Sequence, residues 1–275
     1  MAAVRYPAVS GTFYEETAAR LKSQVDECFA AGSGDGAGHP RERFIGAVVP
    51  HAGLIYSGHV AAAFYSAAEL PKRLIILCPN HTGQGHFAAI SSAGSWRTPL
   101  GDVPVDSDLA ARLMAKTRLL TEDSVAHARE HSLEVQLPFL QRLGFEFSFV
   151  PICLGAPRYD VCEEIGTAIA DVIASAQEPV GIVASSDLNH YENQQETLRK
   201  DQLAIDQVLA RDPKELWRVV EDEDISMCGY IPTTTMLIAA NRLGASKATL
   251  LRHATSGDIN HDYRRVVGYA AIMVS

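Results

Sequence analysis

Short apolar runs alternate with segments of helical periodicity along the chain, and this alternation constrains the fold more than any other feature. The apolar runs have the length of buried strands and lie at 44–49, 73–78, 145–150, 180–184, 248–253 and 266–273. Because strands joined through helices usually form a parallel sheet with both faces covered, we predict an α/β fold. We expect three α/β/α layers around a mixed, largely parallel central sheet.

Helix-start and turn signals complete the predicted organisation. Thr12 and Glu15 form a capping-box pattern that predicts a helix to about Ala31, before a glycine-rich loop over 32–40. Further helices are predicted at 58–70, 106–116, 160–176, 194–209, from 213 and at 232–242, and short strands at 88–92 and 96–105. Leucines at 133, 137 and 140 have helical spacing, with Pro138 marking a kink or a first turn. Without a repeat or a Pro/Ser-rich linker, we expect a single domain over 1–275.

Composition excludes several classes of protein. The 275 residues are 47% hydrophobic and 21% charged, and the longest apolar stretches are far shorter than the roughly 20 residues of a membrane span. Residues 1–7 contain a charge and a proline where a secretory signal needs an apolar run, so we expect a cytoplasmic protein. The net charge is −9 and the basic residues are scattered, which excludes a phosphate-neutralising patch for nucleic acid. The five cysteines fit neither a disulfide framework nor a paired zinc motif.

Three polar clusters follow apolar runs, at 50–53, 79–83 and 185–190. The loops at the carboxyl ends of the strands in such a sheet converge, and ligands bind there. The clusters contain His51, His81, Asp187 and His190, whose imidazoles and carboxylate could bind a divalent metal or exchange protons near neutral pH. Each histidine alone could equally be a solvated or backbone-bonded loop residue.

Two further signals are ambiguous. His127, Glu130 and His131 match the H-x-x-E-H pattern of zinc metallopeptidases, but the pattern falls near a helix start and short motifs also arise by chance. Cys228 precedes a predicted helix, whose N-terminus would favour a thiolate, although a free cysteine is commonly a small buried hydrophobe. We keep a zinc peptidase as a third hypothesis.

A set of short motifs in fixed order, spread over nearly the whole chain, resembles the Memo family. The motifs are Pro50-His51-Ala52-Gly53 with Tyr56 and Gly58, Pro79-Asn80-His81, Glu130-His131-Ser132-Leu133-Glu134 with Leu137-Pro138, Ser185-Ser186-Asp187 with His190, Cys228-Gly229 with Pro232, and Gly268-Tyr269-Ala270-Ala271. Bacterial members are described as protein B of the AmmeMemoRadiSam system. The resemblance implies a fold similar to that of the class III extradiol dioxygenases (LigB-like), in which iron(II) lies at strand ends.

The resemblance also implies roles for individual residues. His51, His81 and Cys228 would be the metal ligands. Asp187 and His190 would line the same pocket as catalytic residues, with His190 as the acid/base. Tyr56, Phe13, Glu130 and His131 would contact the substrate. The family motif around Glu130 does not require His127, which weakens the peptidase hypothesis.

One departure from the dioxygenases affects the expected function. Those enzymes bind iron(II) through two histidines and a carboxylate, whereas Cys228 would supply a soft thiolate here. We therefore expect iron(II) or copper, with zinc less expected. The first hypothesis is a metal-dependent oxidoreductase that binds a small aromatic or phenolic substrate. The alternative is a non-catalytic metal-binding or peptide-binding adaptor, and the family name implies a functional link to a radical-SAM enzyme.

Overall fold

The computed structural model describes residues 3–32, 41–155 and 158–275, so most of the loop predicted at 32–40 lies outside the described residues. The strands in this part of the chain are β1 (Val4–Arg5), β2 (Gly46–Val49), β3 (Arg73–Pro79), β4 (Ala88–Ile90), β5 (Ser95–Thr98), β6 (Gly101–Pro104), β7 (Thr121–Glu122), β8 (Ser148–Leu154), β9 (Val180–Ser185), β10 (His190–Glu192), β11 (Ala248–Thr255) and β12 (Val266–Val274). The helices are α1 (Ala18–Gly32), α2 (Leu54–Ala67), α3 (Ser107–Lys116), α4 (Ser124–Ala128), α5 (Leu137–Arg142), α6 (Tyr159–Ala174), α7 (Gln194–Ala210), α8 (Pro213–Asp222), α9 (Tyr230–Arg242) and α10 (Gly257–Asn260). One 3-10 turn covers Glu134–Gln136 and leads directly into α5.

The central sheet is mixed, with a parallel centre. Strands β2, β9, β3 and β8 lie side by side in that order and are all parallel. The outer strands β4 and β12 run antiparallel to β8 and β2, and β12 also pairs antiparallel with β10 and β11. A separate small sheet places β5 between β1 and β6. The predicted largely parallel core is confirmed.

Each face of the central sheet has its own apolar core, as a three-layer fold requires. In β3, Ile75 and Leu77 pack into the core shared with α3, α6, α7, α8 and α9. The alternate residues Leu74 and Ile76 pack into the opposite core, which includes side chains of α1, α2 and α5. A buried aliphatic side chain stabilises a fold by about 1.5–3 kcal/mol, so helices on both faces hold the sheet rigid under its loops.

Several predicted boundaries are wrong, and that of α1 has a local cause. Helix α1 begins at Ala18 instead of Thr12, because the Thr12 hydroxyl bonds back to the Val9 carbonyl. The carbonyl of Phe13 instead accepts the N–H of Leu54, which attaches this segment to the start of α2.

Strand β8 begins three residues later than the predicted run and passes through Pro151, whose carbonyl accepts the N–H of Ser91. Pro138 lies in the first turn of α5, as one of the two predicted alternatives. Among the described residues, no helix combines the length and hydropathy needed to cross a bilayer.

Candidate metal centre

Three predicted site residues follow three neighbouring parallel strands at the same interval. Strands β2, β3 and β9 end at Val49, Pro79 and Ser185, and His51, His81 and Asp187 come two residues later. Because β9 lies between β2 and β3, Asp187 belongs to the middle strand of the three. Their loops meet at the carboxyl edge of the sheet, where ligands bind in this class of fold.

The three predicted metal ligands are brought together. His51, His81 and Cys228 each offer one ligand atom, and these atoms lie within 4.8 Å of one another. Cys228, in the turn before α9, places its Sγ 3.3 Å from Nε2 of His51. A second group that satisfies the same distance criterion consists of His81, Glu130 and His131. His81 therefore belongs to both candidate sets.

A chain of hydrogen bonds fixes the tautomer of His51. The hydroxyl of Ser185 has one hydrogen, which it donates to the carbonyl of Ser132 at 2.6 Å. The same oxygen accepts from Nε2 of Gln136 at 2.8 Å, so its bond of 2.9 Å to Nδ1 of His51 requires the imidazole to donate. His51 is therefore protonated on Nδ1 and presents an unprotonated Nε2 to Cys228.

Glu130 fixes His81 in the same way. Its carboxylate accepts the His81 backbone N–H at 2.7 Å and lies 2.9 Å from Nδ1 of His81, and it also accepts the N–H and hydroxyl of Ser132. Burial alone would raise the pKa of Glu130, but the hydrogen bonds from His81 and Ser132 outweigh burial and hold this pKa at about 2. The charged carboxylate can only accept, so His81 donates from Nδ1, and Nε2 is the nitrogen that a neutral His81 ring offers to a metal. Metal-binding histidines usually show this carboxylate support.

The histidine and thiol facing each other are both uncharged. Burial lowers the pKa of His51 well below its usual range, and the neighbouring imidazoles of His81 and His131 lower it further. Burial raises the pKa of the Cys228 thiol well above its usual value, and the nearby Asp187 carboxyl adds to this effect. A metal bound here would have to displace the thiol proton.

Asp187 and His190 lie beside the predicted ligands. Asp187 accepts the backbone N–H groups of His51 at 2.7 Å and Ala52 at 3.3 Å, and so holds the loop that carries His51. Burial raises the pKa of Asp187, although the nearby His190 and these hydrogen bonds oppose the rise. Nδ1 of His190 lies 2.8 Å from the carbonyl of Ser226, which can only accept. Nε2 of His190 is therefore also free of a proton when the ring is neutral.

Aromatic rings lie against the two predicted histidine ligands. The ring of His131 stacks on that of His81 with centroids 4.7 Å apart. The ring of Phe13 also contacts His131, again with centroids 4.7 Å apart. Tyr56 is half-buried in the first turn of α2.

Glu130 has no exposed surface, and its carboxylate bonds His81 and Ser132. It therefore lies on the buried side of His81.

Sequence reasoning gave no role to two buried polar residues that support this arrangement. Gln136 was not identified, although it bonds Ser185 and the carbonyl of Pro50. Glu134 is fully buried, pairs with Arg5 and accepts the Tyr14 hydroxyl at 2.5 Å, which fastens the N-terminal segment carrying Phe13. The sequence does contain a signal for them, because polar residues recur at every second position over 130–136, just before the apolar start of α5.

His127 lies apart from the two candidate metal groups found among the described residues. Its ring is buried in α4 against Trp96, with centroids 5.6 Å apart, and burial lowers its pKa to about 4. The described geometry does not assemble the His127 and His131 pair that a zinc peptidase would need.

Comparison with known proteins decides the family. A family model described as Memo-like protein matches residues 5–273. The chain belongs to the Memo family. Two relatives described as MEMO1 family proteins support this assignment, and both match over nearly their full length. The protein from Sulfolobus acidocaldarius is 44% identical over 98% of each chain. That from Thermotoga neapolitana is 41% identical over 99% of this chain and 100% of its own.

A solved structure shares the fold of this Memo-family chain. An uncharacterized protein from Escherichia coli K12 matches with a TM-score of 0.59, covering 84% of this chain and 100% of its own. At 12% identity, this similarity shows the fold alone. The family predicted from the motifs is confirmed.

Proposed function

We propose that this Memo-family chain is a metal-dependent oxidoreductase that binds iron(II) or copper through His51, His81 and Cys228. The observation that carries the proposal is that both imidazoles donate from Nδ1, to Ser185 at His51 and to Glu130 at His81, which leaves Nε2 of each ring as the nitrogen available to a metal. A histidine must be unprotonated at the nitrogen that binds a metal. Ser185 and Glu130 therefore preorganise the donor set before a metal arrives.

The donor set fits a redox-active transition metal. Imidazole nitrogens bind iron and copper, and the thiolate of Cys228 shifts the preference toward copper(I) or thiolate-bound iron. When bound, such a metal supplies a redox-active Lewis acid at the pocket. Asp187 keeps the His51 loop in place through two backbone hydrogen bonds.

A small aromatic or phenolic substrate suits the surrounding residues. Phe13 and His131 supply aromatic surface against which a planar ring can pack, and we expect Tyr56 to add to it. His190, with its free Nε2, would accept the phenolic proton and return it later in the reaction. Asp187 would support the charge that His190 acquires, because the electrostatic interaction between them is favourable.

The second candidate function is a metal carrier or a non-catalytic binding protein. Cys228 favours it, because a thiolate in place of the dioxygenase carboxylate binds soft copper(I) tightly and is itself oxidisable. In that case the pocket would hold the metal without turnover.

Dioxygen uptake separates the two functions. Protein purified anaerobically and loaded with iron(II) is mixed with a panel of catechols, and uptake is followed with an oxygen electrode. We expect uptake with at least one catechol, and a loss of 10²- to 10⁴-fold in His190→Ala with the metal retained. His86→Ala is the control, because the His86 ring bonds the backbone of Ala88 outside the pocket. No uptake with any catechol, together with tight copper(I) binding, would support the carrier.

A further inference from the structure

A buried acid–histidine pair lies behind His190 and plays no part in the function proposed above. Asp201, in α7, has no exposed surface, and its Oδ2 lies 2.8 Å from Nε2 of His253 in β11. Its other oxygen accepts the backbone N–H of Asn189 at 2.9 Å. Gly268 makes room for this carboxylate, because a Cβ at that position would lie 1.9 Å from Oδ2 of Asp201. Elements α7, β11 and β12 therefore meet at the Asp201 carboxylate, which holds Asn189 in place next to His190.

The side chain of Asn189 in turn holds Ser226 through two hydrogen bonds. The Oδ1 of Asn189 accepts the backbone N–H and the hydroxyl of Ser226, both at 3.1 Å, and its Nδ2 donates to Glu192 at 2.6 Å. Glu192 in turn pairs with Lys200 at 3.1 Å. If the side-chain amide of Asn189 were rotated by 180°, its NH₂ group would face the Ser226 N–H, and two donors would meet. These contacts therefore fix the orientation of the Asn189 amide.

Ser226 contacts His190 at two points. The backbone N–H of His190 donates to the Ser226 hydroxyl at 2.7 Å, and Nδ1 of its ring lies 2.8 Å from the Ser226 carbonyl. Since a carbonyl cannot donate, the position of Ser226 determines which ring nitrogen of His190 carries the proton.

We propose that Asp201 and Asn189 are positioning residues for His190. Asp201 holds Asn189, Asn189 holds Ser226, and the Ser226 carbonyl keeps His190 in the tautomer whose Nε2 can accept a proton. The importance of this tautomer rests on the proposed function, in which His190 is the acid/base, but its existence does not depend on a bound metal. A purely structural role for Asp201 would affect folding stability and leave the His190 tautomer unchanged.

Nitrogen NMR of metal-free protein labelled with ¹⁵N-histidine tests the proposal. The His190 ring is assigned by the loss of its signals in His190→Gln, and its tautomer is read from the shifts of the two nitrogens. We expect the neutral His190 ring to be protonated on Nδ1 in the wild type, and a mixture of tautomers in Asn189→Ala and in Asp201→Ala, which removes the acceptor of the Asn189 N–H. Asp106→Ala is the matched control, because it removes a buried carboxylate at Arg73 and should leave the His190 signals unchanged.

The outcomes separate this proposal from the proposed function. If Asn189→Ala does not fold, Asp201→Ala decides, and if neither folds, the tautomer of the wild type decides. A neutral wild-type His190 ring protonated on Nε2, or a folded Asp201→Ala that keeps the wild-type tautomer, would overturn the positioning role. Metal titration of the same proteins provides the second arm, in which Asp201→Ala should bind as much metal as the wild type. A wild type that binds no metal would overturn the proposed function and leave the NMR result standing.

Discussion

The Sγ of Cys228 lies 3.3 Å from Nε2 of His51, and the hydrogen-bond chain through Ser185 leaves that nitrogen without a proton. The thiol is therefore the donor of this contact, because an unprotonated ring nitrogen can only accept. In the metal-free protein, one proton therefore lies between two of the three proposed ligands. A metal ion that binds both atoms has to replace this proton.

Metal binding should therefore release about one proton per site. Burial raises the pKa of the Cys228 thiol and lowers that of His51, so near neutral pH the thiol is protonated and the imidazole is already neutral. Affinity should then rise about tenfold per pH unit below the thiol pKa. Calorimetric titration in buffers of different ionisation enthalpy measures the proton count. Cys28→Ser, a buried cysteine outside the site, should release the same number, and release of no proton by the wild type would contradict the assignment of Cys228.

Glu130→Gln should weaken metal binding by about 10- to 100-fold, the usual effect of removing the partner of a metal-binding histidine. A neutral amide cannot accept all the hydrogen bonds that His81 and Ser132 now donate, and His81 Nδ1 loses its charged acceptor. Competition with a chelator measures the affinity. Glu122→Gln is the control, because Glu122 is exposed and accepts only the Ser92 N–H among the contacts described. Equal affinities for the two variants would rule out this role for Glu130.

Cys228→Asp should change the preferred metal. A carboxylate converts the donor set into the two-histidine, one-carboxylate set of iron(II) oxygenases and removes the soft ligand that copper(I) favours. The variant should lose most of its copper(I) affinity and keep iron(II) and cobalt(II) binding. The thiolate-to-cobalt absorption band, present in wild type, should disappear. A variant that kept both the band and tight copper(I) binding would show that another sulfur is the ligand.

Asp106→Asn should destabilise the protein by about 2 kcal/mol at neutral pH. Asp106 bonds Arg73 at 2.6 and 2.8 Å and caps α3 through the N–H of Leu109, and asparagine retains the cap but loses the charge. Burial alone would raise the pKa of Asp106, but the bonds from Arg73 and Leu109 hold it below its usual value.

The sign of the pH dependence follows from that lowered pKa. A carboxylate with a lowered pKa stabilises the fold above its unfolded value of about 3.9 and loses this contribution as the pH falls through the folded pKa. The difference between wild type and Asp106→Asn in urea unfolding should be constant from about pH 7 to about pH 5, and shrink below about pH 4. A difference that did not shrink would assign the effect to packing.

The ligand-bearing loops could be predicted from the sequence because their strands are short, apolar and followed directly by His51, His81 and Asp187. That pattern also implies their convergence, since parallel strands end at one edge. The contribution of Cys228 came from the family resemblance, because no local pattern relates a residue before α9 to loops more than a hundred residues away.

The hydrogen bonds that orient His51 and His81 could not be predicted from the sequence. Ser185, Gln136 and Glu130 act through hydrogen bonds between segments 49 or more residues apart, and the sequence does not record which donor meets which acceptor.

The predicted start of α1 was wrong for a related reason. The capping pattern at Thr12 was overridden when Phe13 docked on Leu54 and His131.

Metal content tests the central claim most directly. Wild type, His51→Ala and His127→Ala are purified without oxygen, chelators or metal-binding tags, and the metal per chain is measured by elemental analysis. We predict about one iron or copper per chain in the wild type and His127→Ala, and close to none in His51→Ala. A wild type without metal, or a His51→Ala protein that keeps its metal while His127→Ala loses it, would contradict the account.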